Sequence, residues 1–188
     1  MALWRILYDD WQMECCGEPF SVGDEVRWRL SLRTPEDPTF PDGWEESYSE
    51  LEPVAGNARL VGGPGVIALR AGPDHGKWPA RPGPVVGLLA VETHGPGPRD
   101  VPETTGTVRS IRIVTEGYTE THAGSRSYEP VAGERWLRPV GTCPDWFGNE
   151  TRPDRDGRGY RHDETGVLVE LETPGDGHGG PASALPGQ

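Results

Sequence analysis

The sequence predicts a mostly β protein, and three observations carry that prediction. The 188 residues include 27 glycines and 20 prolines, and both residue types disfavour helix interiors. The apolar residues fall into short runs, several with a strict period of two. No stretch shows a sustained 3.6-residue period. Such short strands between Gly/Pro turns point to barrels or sandwiches.

Taken in order, Leu3 to Tyr8 mixes aromatic and aliphatic residues and reads as a first strand. In Val26–Leu32, Val26, Trp28, Leu30 and Leu32 alternate with polar residues, as in a half-buried strand. Val66–Leu69 is a short run between glycines. Val85–Val91 is a longer apolar run with Gly87 inside it, as in a central strand with a bulge. Val108–Val114, Arg135–Val140 and Val167–Leu171 complete the set. Helical turns are expected near Gly43–Leu51 and at Pro144–Phe147, the latter capped by Thr142. Thr34–Gly43, Ala71–Pro84 and His94–Pro102 read as loops or linkers, and Asn149–Gly166 reads as a polar tail stretch in which no strand is expected.

One pentapeptide occurs twice. Glu52-Pro53-Val54-Ala55-Gly56 returns as Glu129-Pro130-Val131-Ala132-Gly133, each followed by a leucine (Leu60, Leu137) and preceded by a tyrosine (Tyr48, Tyr128). A duplicated supersecondary unit is one reading and chance in a Pro/Ala/Val/Gly-rich chain is the other. The expected architecture is small SH3-like or OB-like barrel units, in the first reading a pseudo-symmetric pair. The first unit spans 1–70, Pro/Gly-rich loops with one apolar strand 71–105, and the second unit 106–172. A disordered tail is expected over 173–188.

The net charge is −12, and residues 1–60 hold 13 acids against 5 bases. That balance repels phosphate backbones and anionic lipid and suits a basic partner. Seventeen of the 18 basic residues are arginine, a ratio that matches GC-rich codon usage and marks no guanidinium site. No run approaches the roughly 18 apolar residues of a membrane helix, and Met1–Asp10 has no signal-peptide pattern. Three cysteines, two of them adjacent, make a poor disulfide framework. The expected location is the cytoplasm.

The densest polar cluster runs from Asp9 to Phe20. Asp9, Asp10, Trp11 and Glu14 are candidate binding residues, together with the loop tryptophans Trp44 and Trp78, which either form an exposed surface or fold as covers onto the barrel. Cys15 and Cys16 are candidate thiol or metal residues, with Cys143 returning from the second half. A structural zinc would need about four ligands, and adjacent cysteines lack the usual spacing; the histidines, His94 among them, are scattered through loops. The blander reading of the thiols puts one of Cys15 and Cys16 in the core and the other facing away. Trp11, Trp28 and Trp136 are expected in the core. Phosphate-cradle and zinc-protease motifs are absent: Pro64 removes an N–H from the glycine-rich Gly62–Gly65 turn.

The run Y-D-D-W-Q-M-E-C-C-G-E-P-F-S-V-G-D-E-V-R-W (Tyr8–Trp28), with G-T-V-R-S-I-R-I (Gly106–Ile113) and C-P-D-W-F (Cys143–Phe147), resembles a family of small actinobacterial proteins defined as a domain of unknown function. The likeness covers roughly residues 1–150. It implies a cytosolic protein from a GC-rich genome and brings no activity or site residues. Gly23-Asp24-Glu25-Val26 is also similar to strand openings in SH3-like and OB barrels, an analogy of fold alone. The functional expectation is a non-enzymatic interaction module for another protein with a basic surface, with no cofactor. The alternatives are a metalloprotein or enzyme centred on Asp9–Cys16 with Cys143 and, more weakly, an OB-type nucleic-acid binder.

Overall fold

The computed structural model describes residues 1–35, 43–70, 83–94 and 101–175. Trp78 and the tail beyond residue 175 lie outside the described residues. The described chain forms eleven strands and one short helix, in the order β1 (Ala2–Asp9), α1 (Asp10–Cys16), β2 (Glu25–Trp28), β3 (Leu30–Arg33), β4 (Ser49–Val54), β5 (Asn57–Gly63), β6 (Val66–Arg70), β7 (Val85–Val91), β8 (Thr104–Glu120), β9 (Tyr128–Val140), β10 (Asn149–Arg155) and β11 (Arg158–Thr173). Among these residues no helix is long and apolar enough to cross a membrane.

Strands β3, β6, β5, β4 and β7 close into a five-stranded barrel, sealed where β4 pairs with β7 (Ser49↔Gly87 to Leu51↔Val85). Closure removes the unpaired edges that a small sheet would otherwise present. The Val26–Leu32 run supplies two strands rather than one. Its first part pairs with β8, and after Arg29 its second part enters the barrel between β6 and β7. Side-chain alternation survives the break, so Leu30 and Leu32 are fully buried.

The long antiparallel strands β8 and β11 lie side by side from Tyr160↔Thr119 to Glu172↔Thr107. β1 lies between β11 and the barrel strand β7. At their far ends β8 and β11 are flanked by β9 and β10. β9 pairs only with β8, an edge position that tolerates Pro130 and Pro139.

The main core holds Ile6, Leu32, Leu89, Val91, Val108, Ile111, Val167 and Leu171. The opposite faces of β1, β7, β8 and β11 hold a second, smaller core of Leu7, Leu88, Ala90, Val114 and Leu168 under Trp44. That is why Val85–Val91 reads as almost continuously apolar: its alternate side chains enter two different cores.

Several expectations need correction. The polar stretch Asn149–Gly166, where no strand is expected, forms β10 and the first half of β11. Ion pairs such as Arg138–Glu164 and Arg161–Asp163 decorate these strands in place of apolar residues. Pro144–Phe147 is not helical, while Gly43–Leu51 contains a 3₁₀ turn at Glu45–Ser47. Trp11 and Trp136 are exposed, not core, at 53% and 45%. The two E-P-V-A-G copies differ in setting. The first forms the β4–β5 turn, and the second lies inside β9 beside a register shift against β8. Their final glycines, Gly56 and Gly133, share positive φ (80° and 77°), which suits the β4–β5 turn in the first copy and the strand irregularity in the second.

Candidate functional site

Two polar clusters meet at α1. This seven-residue helix was not legible as one, since its period is masked by a single turn of buried residues, Gln12 and Met13. It starts where β1 stops pairing with β11, at Asp9↔Gly166. Gly166 has φ of 142° at a bulge in β11, and a Cβ there would lie 2.3 Å from the Tyr8 carbonyl oxygen. Only glycine fits, and the bulge sets the register in which Asp163 and Thr165 face Asp9 and Asp10.

The first cluster lines a cavity of about 400 Å³ over the smaller core. Leu7 and Trp44 form its floor, and Asp9, Asp10, Arg33, Glu116, Tyr118, Arg161, Asp163 and Thr165 complete its walls. Register explains the far wall: Arg161 lies opposite Tyr118 and Asp163 opposite Glu116 on one face of the β8–β11 pair. Three of the four carboxylates have arginine partners. Arg33 grips Asp9 with both Nη atoms. Arg135 donates to Glu116 Oε1 at 2.7 and 2.9 Å while its guanidinium stacks on Trp44, 3.9 Å from the ring centroid. Arg161 lies 2.9 Å from Asp163.

Asp10 is the exception. Its Oδ1 accepts the Trp11 backbone N–H at 2.7 Å, and among the described residues it has no cationic partner. Burial pushes its carboxyl pKa up, reinforced by the negative charges of Asp9, Glu14 and Asp163. Asp163 is also raised, by burial, against the pull of Arg161. Burial and the charges of Glu116, Asp163 and Asp10 lift the Tyr118 hydroxyl to about 12. Among the described residues, the buried Trp44 Nε1, Arg161 Nε and Asp163 Oδ1 have no hydrogen-bond partner. Such orphan groups are uncommon in folded proteins.

The second cluster lies at the other end of α1. Cys15, Cys16 and His94 are all exposed, and their Sγ, Sγ and Nε2 atoms lie within 4.8 Å of one another. Cys16 Sγ is 3.0 Å from His94 Nε2 and Cys15 Sγ 3.4 Å from it; the two sulfurs are 3.0 Å apart. Trp11 packs on the imidazole with ring centroids 5.5 Å apart. Donation of the Cys16 thiol to Cys15 raises the Cys16 pKa.

The predicted residues thus divide. Asp9, Asp10 and Trp44 come together at the cavity. Trp44 is no exposed binding aromatic: it is 3% accessible, a cover over the smaller core. Trp11 contacts both clusters through its N–H and its ring. Glu14 instead accepts the Phe147 N–H at 2.9 Å and anchors that loop. Cys15 and Cys16 are both outside the core, contrary to the one-in, one-out reading. Cys143 does not join them; it is buried in the main core, and burial pushes its thiol to about 12. His94 takes the place assigned to Cys143. It follows directly on the apolar run of β7, and only the β1–β7 pairing brings it to Cys16, 78 residues away.

No curated protein and no solved structure matches the chain. A family model matches residues 2–173, reaching past the stretch over which the sequence itself showed a likeness. The chain belongs to that family, a family of unknown function, DUF6578.

Proposed function

We propose that this chain is a non-enzymatic, cytosolic binding module that takes a basic side chain of a protein partner, lysine or arginine, into the cavity against Asp10. One observation carries the reading. In a cavity lined by four carboxylates and two arginines, Asp10 is held ionised only against burial and three neighbouring negative charges. An incoming cation reverses that penalty, so the free energy released on binding includes the relief of like-charge repulsion. The volume suits one long side chain, and Tyr118 offers an aromatic wall beside the carboxylate. The net charge of −12 steers a basic partner toward the module. The same charge, and the acidic lining, work against a nucleic-acid phosphate.

The test is calorimetric titration of the full chain with capped tripeptides bearing arginine, lysine or norleucine. The arginine and lysine peptides bind, norleucine does not, and Asp10→Asn weakens binding about tenfold or more, the scale of a lost hydrogen-bonded ion pair. Equal binding of norleucine, or an affinity untouched by Asp10→Asn, contradicts the reading.

A further inference from the structure

The Cys15–Cys16–His94 cluster has no part in binding a basic side chain, and its hydrogen bonds define the state of the imidazole. Gln12 is fully buried. Its Nε2 donates to the Val91 carbonyl at 2.9 Å, with Asp9 Oδ2 at 3.3 Å on the same side, and its Oε1 accepts the Thr93 backbone N–H at 2.7 Å. Acceptors on one side and a backbone donor on the other fix the amide orientation. Thr93 Oγ1, 2.7 Å from the same Oε1, must therefore donate to it. That leaves only lone pairs on Oγ1 for His94 Nδ1, 2.7 Å away, so Nδ1 carries the proton. In the neutral ring Nε2 then carries the lone pair, and it faces both thiols.

This is the arrangement of a metal-ligating histidine, in which the distal ring N–H is held by a second hydrogen-bonding group that sets tautomer and ring angle. Trp11 against the ring further restricts its rotation. We propose that Cys15 Sγ, Cys16 Sγ and His94 Nε2 form a three-donor site for a thiophilic d¹⁰ cation, zinc(II) or copper(I), with the remaining coordination position open to solvent. Two sulfurs and one imidazole are the donors such ions prefer over magnesium or calcium. Bonds of about 2.3 Å to sulfur and 2.0 Å to nitrogen in a tetrahedron need donor separations of roughly 3.5–3.8 Å. The two sulfurs, 3.0 Å apart, have to part by about three-quarters of an ångström and the Cys16–His94 edge, also 3.0 Å, by about half, which exposed side chains at a helix end permit. Binding displaces two thiol protons to solvent and forms two metal–sulfur bonds and one metal–nitrogen bond. The exposure of all three donors makes the site one for loading and release rather than a closed structural centre. Cys143 has no part in it.

The experiment uses the full chain, reduced and stripped with a chelator, titrated with zinc(II) in one arm and with copper(I) under anaerobic conditions in the other. Bound metal is counted by elemental analysis and protons released by a pH indicator. One equivalent binds in at least one arm, with two protons released. Cys15→Ser, Cys16→Ser and His94→Ala each weaken uptake at least a hundredfold, and Cys143→Ala leaves it unchanged. Thr93→Val weakens it about 10- to 100-fold through the ring's second partner, and Thr93→Ser restores it. Circular dichroism confirms that each variant is folded. Absence of stoichiometric uptake in both arms overturns the proposal. Uptake that survives Cys16→Ser and His94→Ala, or that is lost with Cys143→Ala in a folded protein, overturns it as well. The arm that binds more tightly at fixed free metal identifies the ion.

Discussion

The closed barrel and the four-stranded end of the long sheet are built from the same kind of strand and are held together differently. In the barrel, alternate side chains such as Leu30, Leu32, Leu51, Val61 and Leu89 point into one interior and are buried almost completely. At the far end, β9, β8, β11 and β10 carry few buried apolar residues. They are tied by cross-strand pairs and short polar chains: Arg138 to Glu164, Arg155 to Glu134, and Tyr160 donating to Glu134. Arg155 also stacks on Tyr160. The barrel is held by exclusion of water, which is non-directional. The open end depends on matched partners, each worth little alone. The cavity and the thiol cluster both lie where the two regimes meet, around β1, α1 and the end of β7.

Mutations that probe each regime should separate them. The largest effect is expected in the barrel. Leu89→Ala removes a fully buried side chain and should cost about 2–5 kcal/mol in chemical denaturation. At the open end the most costly single group is Glu120. Its carboxylate accepts the backbone N–H groups of Gly124 and Gly159, each at 3.0 Å, and of Arg126 at 3.3 Å. One side chain thus closes the β8–β9 turn and ties it to β11. Glu120→Ala leaves these backbone donors without their acceptor and should cost less than Leu89→Ala, with hydrogen exchange accelerated in that turn and unchanged in the barrel. Arg138→Ala, which breaks an exposed pair with Glu164, should change stability by no more than about 1 kcal/mol. If it costs as much as Leu89→Ala, the division between the two regions is wrong.

Asp10→Asn should act in the opposite direction. The folded-state pKa of Asp10 lies above its unfolded value. The folded protein therefore holds the proton more tightly, and the ionised carboxylate lowers stability at every pH above the folded pKa. That penalty fades as pH falls through the folded pKa and is gone below the ordinary carboxylate range. The asparagine variant should be the more stable protein at neutral pH, and its advantage should vanish in acid.

Sequence reasoning reached the barrel more readily than the open end for the same physical reason. Burial in one interior leaves a period of two, and it can be read in Leu30 and Leu32 of the barrel, and also in Val167, Val169 and Leu171 where β11 lines the same main core. A strand stabilised by Arg–Glu pairs on exposed faces leaves no such trace, so Asn149–Gly166 reads only as a polar stretch. At the candidate sites, the local residues Asp9, Asp10, Cys15 and Cys16 were visible as a dense cluster. Their partners were not. Arg33, Glu116, Arg161 and Asp163 reach the cavity through strand register, and Thr93 and His94 reach the thiols through the pairing of β1 with β7. Cys143 was grouped with the other cysteines on residue type alone, whereas Phe20 and the Ser21↔Thr142 bridge lead its chain segment into the main core. One apt continuation was available: Glu116 and Tyr118 extend the alternation of Val108–Val114 beyond its last apolar residue.

The most direct test of the central claim is the titration of the Asp10 carboxyl itself, followed by carbon NMR with selectively labelled aspartate and assigned with Asp10→Asn. In the free protein its midpoint should lie above that of an ordinary aspartate. Saturation with the capped arginine peptide should bring it down to or below the ordinary value, while the norleucine peptide leaves it in place. An ordinary midpoint in the free protein, or a raised one that the arginine peptide does not move, would contradict a cavity built to receive a cation.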